Sequence, residues 1–178
     1  MGIPTEDLRS IAPILAAGYL RHREHTGMER QLMRALEQDD LLAARVQRLA
    51  TIPGIGRVLS LTWALEIGEI SGFRSVKNAV SYCGLCGSEK SSGGKAERTS
   101  ISKQRNKHLQ SMLIEAAKLA PRWNAELALV YEREKQKGNR NQATLAVARK
   151  LVAYLMAVDR RKQGFSKTVA KVDEKQVA

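Results

Sequence analysis

Ala50-Thr51-Ile52-Pro53-Gly54-Ile55-Gly56-Arg57-Val58-Leu59 sets a proline and two glycines between two stretches of helical periodicity, and that interruption decides the fold. Upstream, Leu41, Leu42, Val46 and Leu49 recur at helical spacing; downstream, Leu61, Trp63, Ala64 and Leu65 make an apolar helix. Proline cannot continue a helix and glycine tolerates backbone angles closed to other residues, so the chain must turn here. Helix, Pro-Gly-Ile-Gly, helix is the pattern of a helix-hairpin-helix element. In such an element the glycines let the backbone approach a phosphate, and the second helix presents unpaired N–H groups and the positive end of its dipole. Gly54, Ile55, Gly56 and Arg57 are therefore candidate DNA contacts that read no base sequence. A tight interhelical turn with glycine at the cap explains the same residues without a ligand.

Outward from this turn nearly every segment keeps the helical period. Toward the N-terminus, Leu8, Ile11, Ile14 and Leu15 follow Pro4 and Thr5, Gly27 interrupts, and Met28, Leu32, Met33 and Leu36 form a second amphipathic helix ending near Asp39 and Asp40. Toward the C-terminus, a short helix is expected over Val76–Tyr82, then helices over 103–120, 123–137 and 142–158, with a turn at Gly138, Asn139 and Asn141. The aperiodic stretch is 84–102, where a short hairpin is the non-helical element the sequence admits. The expected fold class is all-α. A helical arm or coiled-coil-like linker (1–44) precedes a compact helical domain (45–162) holding the helix-hairpin-helix and one irregular serine-glycine loop. A basic tail (163–178) lacks apolar weight and is expected to be disordered.

Composition agrees and adds a partner. With 178 residues, 43% of them hydrophobic, the chain supports one core plus an appendage, and only 4% aromatics with four prolines argue against a sandwich or barrel. Thirty Lys and Arg against eighteen Asp and Glu give a formal charge of +12, a balance that favours a polyanion. Over 122–171, twelve basic residues face four acidic ones, a net +8, so a DNA-facing surface that includes Arg149 and Lys150 is expected there. Lys103, Arg105, Lys107 and His108 crowd the first turns of the helix expected over 103–120, where positive charge opposes the helix dipole, so an anion is expected between them. No run of 18 apolar residues and no basic-then-apolar N-terminal segment is present, so no membrane partner and a cytoplasmic location are expected. Cys83 and Cys86 form a lone CxxC without two further ligands at comparable spacing; they are expected to be small, reduced side chains and no metal site is assigned.

Taken in order, Ile52-Pro53-Gly54-Ile55-Gly56, Glu66-Ile67-Gly68-Glu69-Ile70 with Phe73, Tyr82-Cys83-Gly84-Leu85, Ser91-Ser92-Gly93-Gly94-Lys95, Ile101-Ser102-Lys103 with Asn106 and Leu109, and Ala148-Arg149-Lys150-Leu151 resemble the C-terminal transposase domain of the IS110 insertion-sequence family. The resemblance spans roughly residues 45 to 160. It implies a serine nucleophile on the scissile phosphate, assigned to Ser92, directly before the glycine, with Ser91 as the alternative. Attack by a serine oxygen on a phosphodiester gives a covalent protein–DNA link that conserves bond energy for rejoining, and Lys95, Arg98, Lys103 and Arg105 are candidates to neutralise the charge that develops. His108 and Glu89 are the nearest candidates for a base. The resemblance also implies a ribonuclease-H-like domain whose four acidic residues bind magnesium, a structured guide RNA bridging donor and target DNA, and a homo-oligomer or association with a full-length transposase.

Two positions depart from that family pattern: Arg105 stands at its glycine, and Gln110 at its closing arginine. No acidic quartet precedes residue 45, so no cofactor is expected in this chain, magnesium is expected only from a partner domain, and a truncated or split transposase is expected. The competing expectation is a non-catalytic helix-hairpin-helix DNA-binding remnant of a decayed element.

Overall fold

Polar residues that start helices, more than apolar runs, set the boundaries of the elements. The computed structural model describes residues 39–92, 95–101 and 105–166. Among them lie α1 (Asp40–Leu49), α2 (Arg57–Ile67), a 3-10 turn (Ile70–Gly72), α3 (Val76–Tyr82), β1 (Gly87–Ser92), β2 (Lys95–Ile101), α4 (Lys107–Leu119), a second 3-10 turn (Ala120–Arg122), α5 (Ala125–Lys137) and α6 (Arg140–Arg161). Side chains of Asp39, Ser75, Asn106, Asn124 and Asn139 accept hydrogen bonds from first-turn N–H groups of α1, α3, α4, α5 and α6. Asp39 thus opens α1; the amphipathic helix expected to end near it lies outside the described residues. Asn106 and Asn124 likewise start α4 and α5 later than periodicity alone places them.

The fold class is all-α, with one antiparallel hairpin confined to the aperiodic stretch. At its centre is α6, whose Leu151, Val152, Tyr154, Leu155, Met156 and Val158 are buried around almost the whole circumference. The helices α1, α3, α4 and α5 pack against it. Nearly all of α2 from Leu59 to Leu65 is buried as well, and it is held between α1 and α4. Asp159 of α6, 7% exposed, accepts from Arg45 Nε at 2.8 Å, a second Arg45 guanidinium nitrogen at 2.6 Å and Trp63 Nε1 at 3.1 Å. Arg45 also donates to the carbonyl of Ala64. One satisfied carboxylate therefore ties three helices together, and neither charge is left unpaired.

Residues 1–38 of the arm and 167–178 of the tail lie outside the described residues. The described end of the arm is the start of α1, which runs through residue 44 and buries Val46 and Leu49 in the core. At the other end Phe165 folds back onto the body: its ring centre lies 5.0 Å from that of Tyr154, and its N–H donates to Thr51 Oγ1 at 2.7 Å. No helix among the described residues is long and apolar enough to cross a membrane.

Candidate nucleic-acid interface and serine hairpin

The Ile52–Gly56 turn divides its residues between two tasks. Ile52 and Ile55 are buried, and Ile55 N–H donates to the Ile52 carbonyl at 3.0 Å. Gly54 has φ +92, and a Cβ added there would lie 2.6 Å from Ala120 Cβ and 2.7 Å from Ala120 Cα. Gly54 therefore serves the close approach of the turn to the second 3-10 turn. Gly56 is different: it is exposed, a Cβ there would meet nothing within 4 Å, and it starts α2 without a side-chain cap. The first turn of α2 holds no acidic residue and begins with exposed Arg57. Of the four candidate contacts in this turn, Gly56 and Arg57 face outward, whereas Gly54 and Ile55 are committed to packing.

The serine-glycine segment forms the hairpin, and its stem is fixed by α3, α4 and α6. Asn106 N–H donates to the Tyr82 carbonyl at 3.3 Å, Gln110 Nε2 to the Gly84 carbonyl at 2.5 Å, and Arg149 Nε to the Leu85 carbonyl at 2.9 Å. Gly84 has φ +70, and a Cβ there would lie 2.7 Å from Gln110 Nε2. The stem thus requires glycine for its backbone angle and for the contact with Gln110. Beyond it, Gly87 pairs with Ile101, Glu89 with Arg98, Lys90 with Glu97, Ser91 with Ala96 and Ser92 with Lys95, with a register shift between Gly87 and Glu89. Ser92 and Lys95 close the ladder; Gly93 and Gly94 between them lie outside the described residues. Along β1, Ser92 stands about 17 Å from Gly87, at roughly 3.4 Å per residue.

The remaining basic candidates are dispersed. Arg105 and Lys107 are exposed at the entry to α4, and Lys103 lies outside the described residues. A carboxylate of the chain itself lies at the entry to α4: Glu66, at the end of α2, accepts from Asn106 Nδ2 at 2.7 Å and lies 3.1 Å from His108 Nδ1. Tyr82 Oη donates to the backbone carbonyl of the same Glu66 at 3.1 Å. His108, a candidate base, is thereby oriented by Glu66, while Glu89 sits opposite Arg98 in the hairpin. Arg149 has an exposed position but commits its Nε to the hairpin stem. Lys150 turns inward, pairing with Glu126 at 3.1 Å and lying over the Tyr154 ring.

Sequence reasoning did not find Glu66, Gln110 as a stem clamp, or Asp159, because each acts on partners distant in the chain. Cys83 and Cys86 are free; burial pushes the Cys83 thiol up to about 12, so at neutral pH it stays protonated and unreactive. Among the described residues no cluster of three His, Cys, Asp or Glu groups suited to a metal ion is found.

Residues 46–132 match the IS116/IS110/IS902 transposase family. The chain is 31% identical over 147 residues to a pilin gene-inverting protein of Moraxella bovis, which covers 81% of this chain and 46% of that protein. It is 30% identical over 125 residues to the transposase for insertion sequence element IS1328 of Yersinia enterocolitica, covering 66% of this chain and 36% of the relative. Over 156 residues it is 25% identical to an IS110 uncharacterized 43.6 kDa protein of Streptomyces coelicolor, covering 86% of this chain and 38% of the relative. The chain spans about half or less of the length of these relatives.

Proposed function

We propose, for a chain that belongs to the IS116/IS110/IS902 transposase family, that residues 1–178 form the DNA-binding, serine-bearing part of a recombinase acting on DNA in the cytoplasm. The observation that carries this is the position of Ser91 and Ser92 at the closing end of a hairpin whose stem is pinned to three helices. A nucleophile held on an extended ribbon reaches a phosphate that the helical body alone does not approach. The proposed step is attack by the Ser92 oxygen on phosphorus. The serine proton passes to a base, for which His108 and Glu89 are the candidates, a serine–phosphate ester forms as the scissile P–O bond breaks, and the displaced strand's oxygen takes up a proton and leaves as a free hydroxyl. Ser91 is the alternative nucleophile.

Lys95, Arg98, Lys103 and Arg105 stand on or beside the hairpin in sequence and are assigned to neutralise the phosphorane. Gly56 and Arg57 are assigned to the DNA backbone, with lesser roles for Gly54, Ile55, Lys107, Arg149 and Lys150. The remaining electrostatics are assigned to magnesium on an acidic domain outside these 178 residues, docked against the hairpin in a homo-oligomer or from a full-length transposase. A structured guide RNA completes the proposed assembly.

The composite site has a direct test. The 178-residue chain is expected to bind duplex DNA with an affinity that falls steeply between about 50 and 200 mM salt, and not to cleave it. Adding a complete family transposase and magnesium is expected to yield a covalent protein–DNA adduct. Cleavage by the chain alone contradicts the composite site, and salt-independent binding contradicts the phosphate contacts.

A further inference from the structure

Trp63 and Trp123 are the two tryptophans of the chain, and they have opposite environments. Trp63 is 0% exposed, its indole N–H held by Asp159, whereas Trp123 is 72% exposed. An exposed indole offers a partner a large flat face and an N–H donor, the combination that enriches tryptophan at interfaces. Its backbone is firmly placed: Trp123 N–H and Asn124 N–H both donate to the Ala120 carbonyl, at 3.0 and 3.1 Å, and Asn124 caps α5. Its location follows from Gly54, whose missing Cβ leaves room for Ala120. The second 3-10 turn therefore carries Arg122 and Trp123 out of the body beside the Ile52–Gly56 turn, one 3-10 turn or about 6 Å along the chain from that contact.

Along the chain, the residues that form this ledge are one-sided in charge. Arg122 is exposed next to Trp123, and exposed Arg57 opens α2 on the neighbouring turn. No acidic residue occurs from 41 to 65 or from 116 to 125. Glu126, the nearest acid that follows, is engaged by Lys150. An exposed aromatic face directly after an exposed arginine, on a 3-10 turn held against the turn that opens α2 with exposed Gly56 and Arg57, matches a nucleobase stacked on indole with its phosphates on the basic groups. A base inside a duplex has no free face to offer.

We infer that Trp123, with Arg122, is a stacking platform for an unpaired base of a nucleic-acid strand whose phosphates run past Gly56 and Arg57. This rests on the nucleic-acid-binding role proposed above and adds to it the kind of strand bound. The platform selects a flap, bulge or loop over a blunt duplex.

The experiment compares the wild-type chain with Trp123→Ala and Trp123→Phe. Each is titrated against a blunt DNA duplex, the same duplex with a single-stranded flap, and an RNA hairpin with an open loop. Anisotropy of the labelled nucleic acid and tryptophan emission are read together. With the flap or the loop, Trp123→Ala is expected to bind about tenfold to a hundredfold more weakly, and Trp123→Phe to keep most of the affinity. Duplex binding is expected to be the same in all three proteins. Wild-type emission is expected to be quenched on flap or loop binding, since Trp63 is buried; which of the two strands quenches it identifies the source of the base. Equal flap and loop affinities for wild type and Trp123→Ala, with duplex binding intact, overturn the platform and leave DNA binding standing. Loss of self-association in Trp123→Ala at unchanged nucleic-acid affinity makes the ledge a contact between copies and also overturns it. A wild-type chain that binds none of the three overturns the proposed function itself.

Discussion

Around α6 the chain is held by side chains, whereas beyond residue 86 the hairpin is held by main-chain pairing and by the three hydrogen bonds at its stem. Leu151, Val152, Leu155 and Val158 pack from α6 against four other helices, with Asp159 fixing Arg45 and Trp63 among them. An isolated two-stranded hairpin is marginal in water, so Gln110 and Arg149 matter to it more than any residue near its tip. The proposed chemistry is therefore separable from stability: changes to the buried body are expected to destabilise the chain, and changes at the tip to leave it folded.

The largest expected effect is at Asp159. Asp159→Ala takes the shared acceptor from the buried Trp63 N–H and from the Arg45 guanidinium, which keeps its bond to the Ala64 carbonyl, and is expected to cost about 3 kcal/mol or more in urea unfolding. A change below about 1 kcal/mol means that the carboxylate does not join the helices. Next is Gly54→Ala, which combines φ +92 with a contact of 2.6 Å to Ala120. We expect a loss of about 2–3 kcal/mol from strain and overpacking. Gly56→Ala, with open space around it, is expected to cost under about 1 kcal/mol. If the two glycines respond alike, their division between packing and surface is wrong.

Gly84→Ala sharpens the comparison at the boundary between the regions. Its φ of +70 and its contact with Gln110 predict a loss of about 1–2 kcal/mol. Because Gln110 is a flexible side chain, the stem shifts instead of unfolding. Adduct formation with the complete transposase is expected to fall further than stability does. The smallest effect on stability is expected at the tip: Ser92, which closes the paired ladder, is expected to tolerate Ser92→Ala within about 0.5 kcal/mol of wild type.

The sequence made the helical body legible because periodicity is local. Leu109, Met112, Leu113, Ala116 and Ala117 form the buried face of α4 as their spacing indicates, and Ala148, Leu151, Val152 and Leu155 do so in α6. Helix starts were less legible, since whether Asn106, Asn124 or Asp39 caps a helix depends on which N–H groups its side chain reaches. Long-range pairs had no local signature: Arg45 and Asp159 stand 114 residues apart, and Glu66 reaches His108 across 42. The serine segment was conspicuous by its lack of period, yet the clamps that make it a supported hairpin come from α4 and α6. Trp123 looked like an ordinary first residue of a helix; its exposure, shared with Leu41 and Leu129, has no local signature.

The most direct test is to locate the covalent link. The adduct formed by this chain with a complete family transposase and DNA is digested, and the DNA-bearing peptide is sequenced by mass spectrometry. The account predicts a single modified residue, Ser92, and no adduct from Ser92→Ala. A link on Ser91 moves the nucleophile by one position. A link on any residue of the helical body, such as half-buried Tyr82 or Tyr131, contradicts the division between a stabilising body and a reactive hairpin.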